Sequence, residues 1–268
     1  MIDLHTHTKY SKHAIGEIDD VVNEAILRGI KYLAITDHCP FFIDSSNRLL
    51  MSELDDYYKE INRVKKVYQD KIMIFTGMEF DYYPDCEEYL GSLLCHHQLD
   101  FILGGIHYIP YHQGFITTWD LEQIDKEYII TSYFSVLKKM VSSGLFNSIA
   151  HPDCLLRKID DRAIRHFWDD LLPIFLEKQV SWEVNTSGFR KTAWDPIKER
   201  YCIEKNSYPS IYAIKKFSQM GGTFTIGSDA HKPTDVGMDI TRSLNIMKRL
   251  GIENICYYKK RKQFKVEI

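Results

Sequence analysis

The sequence predicts a parallel α/β barrel of about seven strands, formed by one domain spanning residues 1–268. Two observations carry that expectation. Short β-branched or apolar runs alternate with longer amphipathic segments, the order required when crossover helices join parallel strands. No Ser/Gly linker interrupts the alternation, and no G-x-G-x-x-G follows the first strand, so an open dinucleotide-binding sheet has no support.

The elements follow in order. MIDLHTH reads as a strand, and EIDDVVNEAILRG has helical spacing with Gly29 as its C′ residue. KYLAITDH is the second strand. MSELDDYYKEINRVKKVYQD is a helix with Leu54, Tyr58, Ile61, Val64 and Val67 on or near one face. KIMIFTGMEF, a helical stretch near 86–98 and the strand FILGGIHYI come next. A helix near 125–143 leads to FNSIAH, and DRAIRHFWDDLLPIFLEKQ leads to SWEVN. A helix after Pro209 leads to TFTIGSDAH, followed by a helix near 234–249. ICYYKKRKQFKVEI is expected as a terminal strand pair outside the barrel.

Composition narrows the function classes. With 44% hydrophobic and 26% charged residues, the chain can bury a sizeable core. A formal net charge of −3 argues against nucleic-acid or acidic-membrane partners, and the basic tail reads as a solvated end or an edge strand. No basic n-region precedes an apolar stretch at the start, and no apolar run approaches the roughly 18–20 residues of a membrane span. The six cysteines show no CxxC spacing, which points to reduced thiols and a cytoplasmic protein.

The informative feature is where polar residues fall. His5 and His7 close the first strand, and Asp37 and His38 the second. Glu79, His107 and His151 end later strands, Glu183 and Asn185 end SWEVN, and Asp229 and His231 end FTIGSDAH. In a parallel barrel all those ends meet at one face. Residues two apart on a strand share a side, so His5/His7 and Asp229/His231 each aim a pair into the same mouth. Counting His13, seven of the eleven histidines converge there, whereas His96, His97, His112 and His166 lie away from the pattern. A single strand-end histidine is ordinarily a hydrogen-bonded core or loop residue. Seven of them with two carboxylates would leave about 1–3 kcal/mol of unmet polarity per group, and bound cations satisfy them together.

HTH at 5–7, TDH at 36–38, GME, GGIHY, AHPD and GSDAH together resemble the polymerase-and-histidinol-phosphatase (PHP) superfamily, over residues 5–231. EVNTSGFRK at 183–191 and YPS at 208–210 are most similar to its histidinol-phosphate phosphatase branch. The resemblance implies a distorted (β/α)7, TIM-like barrel holding three divalent metal ions. Their identity is left among Zn, Fe and Mn, since N and O ligands suit all three. It implies a first ion on His5, His7, Glu79 and Asp229, and a second sharing Glu79 and adding His107 and His151. A third would sit on His13, His38 and His231. The implied reaction is hydrolysis of L-histidinol phosphate to L-histidinol and phosphate in histidine biosynthesis, by a metal-bridging hydroxide.

Such a site would carry a net charge of roughly +3 and favour a dianionic phosphate monoester. Asp229, or a water it positions, is expected to exchange the leaving-group proton, and His231 only if free of metal. Arg157 and Arg190 are expected phosphate clamps, with Lys158 and Lys191 weaker candidates; each could instead be a surface loop cation. Glu183 and Asn185 would orient ligands or read the substrate's amine and imidazole. Asp37 would hold a histidine N–H or simply polarise a strand end. Two other readings stay open: a PHP phosphoesterase acting on nucleotides or nucleic acid, and a non-catalytic metal scaffold. The absence of a basic, aromatic-interleaved stripe counts against the first, and sets of only three protein ligands against the second.

Overall fold

The computed structural model describes residues 1–96, 98–121, 124–191, 193–195, 200–202 and 208–268. From the N-terminus, β1 (Ile2–Asp3), α1 (Ile18–Leu27), β2 (Tyr32–Ile35), α2 (Leu54–Val67), β3 (Met73–Asp81), α3 (Glu87–His96) and β4 (Phe101–Gly105) alternate. A hairpin of β5 (Tyr108–Tyr111) and β6 (Gly114–Thr117) precedes α4 (Lys126–Ser143), β7 (Ser148–Ile149), α5 (Asp161–Glu177) and β8 (Ser181–Asn185). The short pair β9 (Ala193–Asp195) and β10 (Arg200–Cys202) comes before α6 (Ile211–Gln219), β11 (Phe224–Gly227) and α7 (Ile240–Arg249). A last hairpin, β12 (Asn254–Lys259) and β13 (Lys262–Glu267), ends the chain.

Seven strands form one parallel sheet in the order β1-β2-β3-β4-β7-β8-β11, the expected number. Its two edges nearly close on each other. Leu4 N–H donates to the Ile226 carbonyl at 2.9 Å, Asp229 N–H to His5 at 2.8 Å and His7 N–H to Ala230 at 2.8 Å. The molecule is therefore a nearly closed barrel ringed by helices. Alternation decides which side chains face in. On β8, Trp182 packs outward edge-on to Trp168 of α5, with centroids 4.9 Å apart, while Glu183 and Asn185 bond to each other inside.

Local chemistry sets the helix ends. Asp125, Asp160 and Ser210 accept the N–H groups of Tyr128, Arg162 and Ala213 and so cap α4, α5 and α6. Gly29 takes a φ of 69° just past α1, as its position predicts. Two boundaries differ from expectation. FILGGIHYI is not one strand: β4 stops at Gly105, and the chain turns at Ile106 and His107 before joining the β5–β6 hairpin. The last long helix starts at Ile240 rather than 234, because Pro233 opens a separate short turn and Gly237 takes a φ of 72°.

The β12–β13 hairpin lies outside the seven-stranded sheet, as expected, across the ends where strands begin. Tyr257 stacks on Tyr32 and Phe75 at 4.9 and 5.2 Å, and Tyr258 on Phe101 at 5.5 Å. Asp100 pins its turn. Its carboxylate takes the Lys260 N–H at 3.0 Å, the Thr76 N–H at 3.0 Å and the Lys65 ammonium at 2.7 Å. Burial opposes ionisation of Asp100, but the Lys65 bond and charge and the backbone N–H groups outweigh it and hold the pKa below the usual carboxylate range. A lowered folded-state pKa gives stability that is present above the unfolded value of about 3.9 and fades as pH falls through the folded one. Asp100→Asn is expected to cost on the order of 1–3 kcal/mol at pH 7. The difference from wild type should shrink towards pH 3 in urea melts; a constant difference would rule this account out. No helix among the described residues is long and apolar enough to cross a membrane.

Candidate metal centre

The barrel's carboxyl-end face carries every residue that the strand-end pattern singled out. Glu79 of β3 stands at the middle. Its Oε2 lies 3.3 Å from His5 Nε2, 3.4 Å from His7 Nε2 and 3.2 Å from His38 Nδ1. Its Oε1 faces the other way, 3.3 Å from His151 Nε2 and 3.8 Å from His107 Nε2. Asp229 Oδ1 completes the first side, 3.7 Å from His5 Nε2 and 3.5 Å from His7 Nε2. His13 reaches in from its loop to place Nε2 2.9 Å from His231 Nε2. Among the described residues, three groups have ligand-capable atoms that all lie within 4.8 Å of one another: His5/His7/Asp229, His7/His38/His231 and His38/Glu79/His107. His7 and His38 thus each sit between two groups, so the three sets implied by the resemblance abut rather than stand apart.

Hydrogen bonds behind the rings set their tautomers. His5 Nδ1 donates to Glu183 Oε1 at 2.7 Å, and His107 Nδ1 to Asp81 Oδ1 at 2.5 Å. Ser11 Oγ gives its proton to Asp37 at 2.6 Å, so it receives the Nδ1 proton of His7 at 3.1 Å. The Nδ1 atoms of His13 and His231 donate to the carbonyls of Ser11 at 2.7 Å and Asp229 at 3.0 Å. In their neutral forms these five rings present bare Nε2 lone pairs to the cavity, the arrangement that second partners impose on metal-binding histidines.

Those lone pairs collide unless something lies between them. His5 Nε2 and His7 Nε2 are 2.9 Å apart, as are His13 Nε2 and His231 Nε2, and between neutral rings neither member of either pair has a proton to offer. Nitrogens that share a cation at about 2.0–2.1 Å stand roughly 2.9–3.4 Å apart for ligand angles between about 90° and the tetrahedral value, so these pairs lie at the short end of that range. Glu79 Oε1 and His38 Nδ1 are buried with no hydrogen-bond partner. Burial, then the charge of His231, pushes the His7 pKa down to about 3, so His7 is neutral near pH 7. Burial resists ionisation of Glu79 and Asp229, yet neighbouring imidazoles, His5 foremost, hold both well below the carboxylate range. The donor set fits divalent cations.

The backbone is bent to serve this cluster. His151 and Asp229 take φ values of 32° and 54°, conformations that cost L-residues about 1–3 kcal/mol each. At Gly227 an added Cβ would stand 2.3 Å from His5 Cβ and 2.5 Å from Glu183 Oε1, so only glycine lets β11 pass that close.

A cavity of about 870 Å³ opens over the cluster. Arg157, Arg190, Lys191, Ser187 and Tyr208 stand on its wall, as do Arg48, Asn47, Tyr108, Thr118 and Trp119. Arg190 is braced by the Ser228 carbonyl at 2.7 Å, and Ser187 Oγ–H by Asp229 Oδ2 at 2.9 Å.

For Glu183 and Asn185 one of two expected roles holds, and for Asp37 the partner differs. Glu183 and Asn185 do not line the cavity. Glu183 Oε2 takes the His151 N–H at 2.7 Å and the Asn185 amide at 2.9 Å, so both residues brace His5 and His151 from behind and cannot read a substrate. Asp37 does not bond the His38 ring; it takes the Thr8 N–H, the Thr8 hydroxyl and the Ser11 hydroxyl, and acts on His7 through Ser11. Asp81 was missed, although it lies two residues beyond Glu79 on one strand face, the spacing that identified His5/His7. Arg48 and Trp119 carried no signal in the sequence. His112 and His166 pack against Tyr111 and Phe167 away from the cluster, and His97 lies outside the described residues.

A family model described as "PHP domain" matches residues 3–187. A probable histidinol-phosphatase of Deinococcus radiodurans is 24% identical, with 98% of both chains aligned. One of Schizosaccharomyces pombe is 27% identical, covering 97% of this chain and 90% of its own. The chain superposes with a TM-score of 0.83 on the crystal structure of histidinol phosphate phosphatase from Lactococcus lactis complexed with zinc, L-histidinol and phosphate. That protein is 22% identical, with 98% of each chain covered.

Proposed function

The chain belongs to the PHP domain family, and on that premise we propose that it is a metal-dependent phosphomonoesterase converting L-histidinol phosphate and water to L-histidinol and inorganic phosphate. The observation that carries the reading is the pair of 2.9 Å Nε2–Nε2 contacts beneath a cavity lined by Arg157, Arg190 and Lys191. Cations draw those nitrogens together, and the wall cations complement a phosphate dianion. The names of the full-length relatives and of the Lactococcus ligands support the substrate.

Three divalent ions are assigned: one to His5, His7, Glu79 and Asp229, one to Glu79, His107 and His151, and one to His13, His38 and His231. When bound, such ions neutralise phosphate charge and activate water as a nucleophile near neutral pH. The protein's own groups do the rest. Arg157 and Arg190 grip the non-bridging oxygens with planar forks, and Lys191 adds a point charge. As a water oxygen bonds to phosphorus, the P–O bond to the alcohol breaks, and the departing oxygen needs a proton. Asp229, ionised and held by Ser187, is assigned that exchange: it takes a proton from the attacking water and passes it to the departing oxygen, while His231 beside it keeps its Nδ1 proton on a backbone carbonyl.

The leaving group then extends towards the opposite wall, where Trp119 and Tyr108 lie with ring centroids 6.0 Å apart. Trp119 is 39% exposed, enough free ring to stack on an imidazole. Trp119→Leu is expected to raise KM for histidinol phosphate about tenfold, at the upper end of a stacking contribution of about 0.5–1.5 kcal/mol. KM for glycerol phosphate, which has no ring, should hardly move; equal changes on both esters would remove Trp119 from recognition. Phosphate release from histidinol phosphate, p-nitrophenyl phosphate and nucleotides by metal-loaded protein tests the function itself. Histidinol phosphate should be the best substrate by kcat/KM. Preference for nucleotides would overturn the assignment, and no turnover on any ester would indicate a metal scaffold.

A further inference from the structure

We infer that Arg48 is a positioning residue for the metal centre, acting through Asp81 to fix the imidazole of His107. The inference rests on the metal-binding reading above and adds a residue outside its ligand set. Arg48 lies in the long connection between β2 and α2, yet it is only 2% exposed. Nη1 of the guanidinium bonds Asp81 Oδ2, and Nη2 donates to the Tyr108 hydroxyl at 3.0 Å. The guanidinium carbon stands 5.6 Å from the Phe41 ring centroid and 5.8 Å from that of Tyr108. Asp81, fully buried, spends its other oxygen on His107 Nδ1 at 2.5 Å. The far side of that ring carries Nε2, which faces Glu79.

The order of contacts is thus guanidinium, carboxylate, imidazole, cavity. His107 needs this support because it sits where the chain leaves the barrel, just after β4 ends at Gly105 and before the β5–β6 hairpin. Among the described residues it has no pairing in the seven-stranded sheet, and its carbonyl is tied instead to the hairpin side, by the Thr118 N–H at 2.9 Å. Without Arg48, Asp81 would be a buried carboxylate lacking its cationic partner, free to swing off the ring. Lysine could approach Asp81 as a point charge but could not bond Asp81 and the Tyr108 hydroxyl together in one plane.

Arg48 also borders the cavity, so direct phosphate binding is the competing role, and metal content separates the two. Wild type, Arg48→Met, Arg48→Lys, His107→Ala and the Arg48→Met/His107→Ala double variant would be loaded with cobalt(II). They would then be dialysed against graded chelator and read by elemental analysis and visible absorption. Arg48→Met is expected to hold one equivalent about 10–100-fold more weakly, as loss of such outer partners does elsewhere, with an altered cobalt spectrum. Arg48→Lys should fall between it and wild type. The double variant should match His107→Ala, since the effect of Arg48 passes through that ring. Wild-type cobalt retention and spectrum in Arg48→Met, with only KM for phosphate esters raised, would overturn the inference. Should Arg48→Met fail to fold, Arg48→Lys decides it: weakened retention supports the role, and wild-type retention removes it. A wild-type protein that takes up no cobalt would instead defeat the metal-binding reading itself.

Discussion

Glu79→Gln is expected to empty most of the metal centre and to lower kcat by at least about 10²–10³-fold, the scale on which single preorganised charges at reaction centres act. Glu79 presents its two oxygens to the ring nitrogens of both halves of the cluster, with His5, His7 and His38 on one side and His107 and His151 on the other. Glutamine keeps the shape but replaces one oxygen with an N–H2 group, which has no lone pair for a cation. It also removes the negative charge that balances the cluster. Elemental analysis should find fewer ions per chain, in step with phosphate release, while circular dichroism shows a folded barrel. A folded variant with full metal content and turnover would refute the central role of Glu79.

Asp229→Asn should lower turnover on histidinol phosphate by about 10²–10⁴-fold, the usual contribution of a positioned proton-transfer group. The substitution is unusually clean because of the backbone. Asp229 sits at a φ of 54°, a region that asparagine tolerates as well as aspartate, so the strand end should keep its path. The bond from Ser187 Oγ can be retained by the amide oxygen. A pH–rate profile run alongside metal analysis distinguishes the two duties of this residue. Slow turnover with metal retained and an altered profile supports proton exchange, whereas loss of metal in proportion to activity marks Asp229 as a ligand only. Unchanged turnover excludes it from both.

Much of this was legible before any coordinates. The alternation of short and long segments gave the seven parallel strands, and parallel strands must end at one face. That alone gathers His5, His7, His38, Glu79, His107, His151, Asp229 and His231, because the rule depends only on topology and on the period of two along a strand. The same rule, followed one step further along β3, reaches Asp81. It cannot distinguish Asp81, turned to His107, from Glu79, turned to the cavity. Glu183 was left between two roles for a similar reason: a strand-end carboxylate was identified, but not the 2.7 Å bond that turns it towards His5.

The sequence by itself determined the barrel, the polar rim and the set of nitrogens and carboxylates placed there, since local hydrophobic periods encode strand direction and strand ends. Only the tertiary structure decided which nitrogen of each ring is bare, which groups stand behind the rings, and that Arg48 from a remote loop joins them. Those properties arise from contacts between residues as far apart as His5 and Glu183 or Arg48 and Asp81. Hydrogen bonds a few ångströms long depend on how separate elements dock, and no repeat along one segment records that docking.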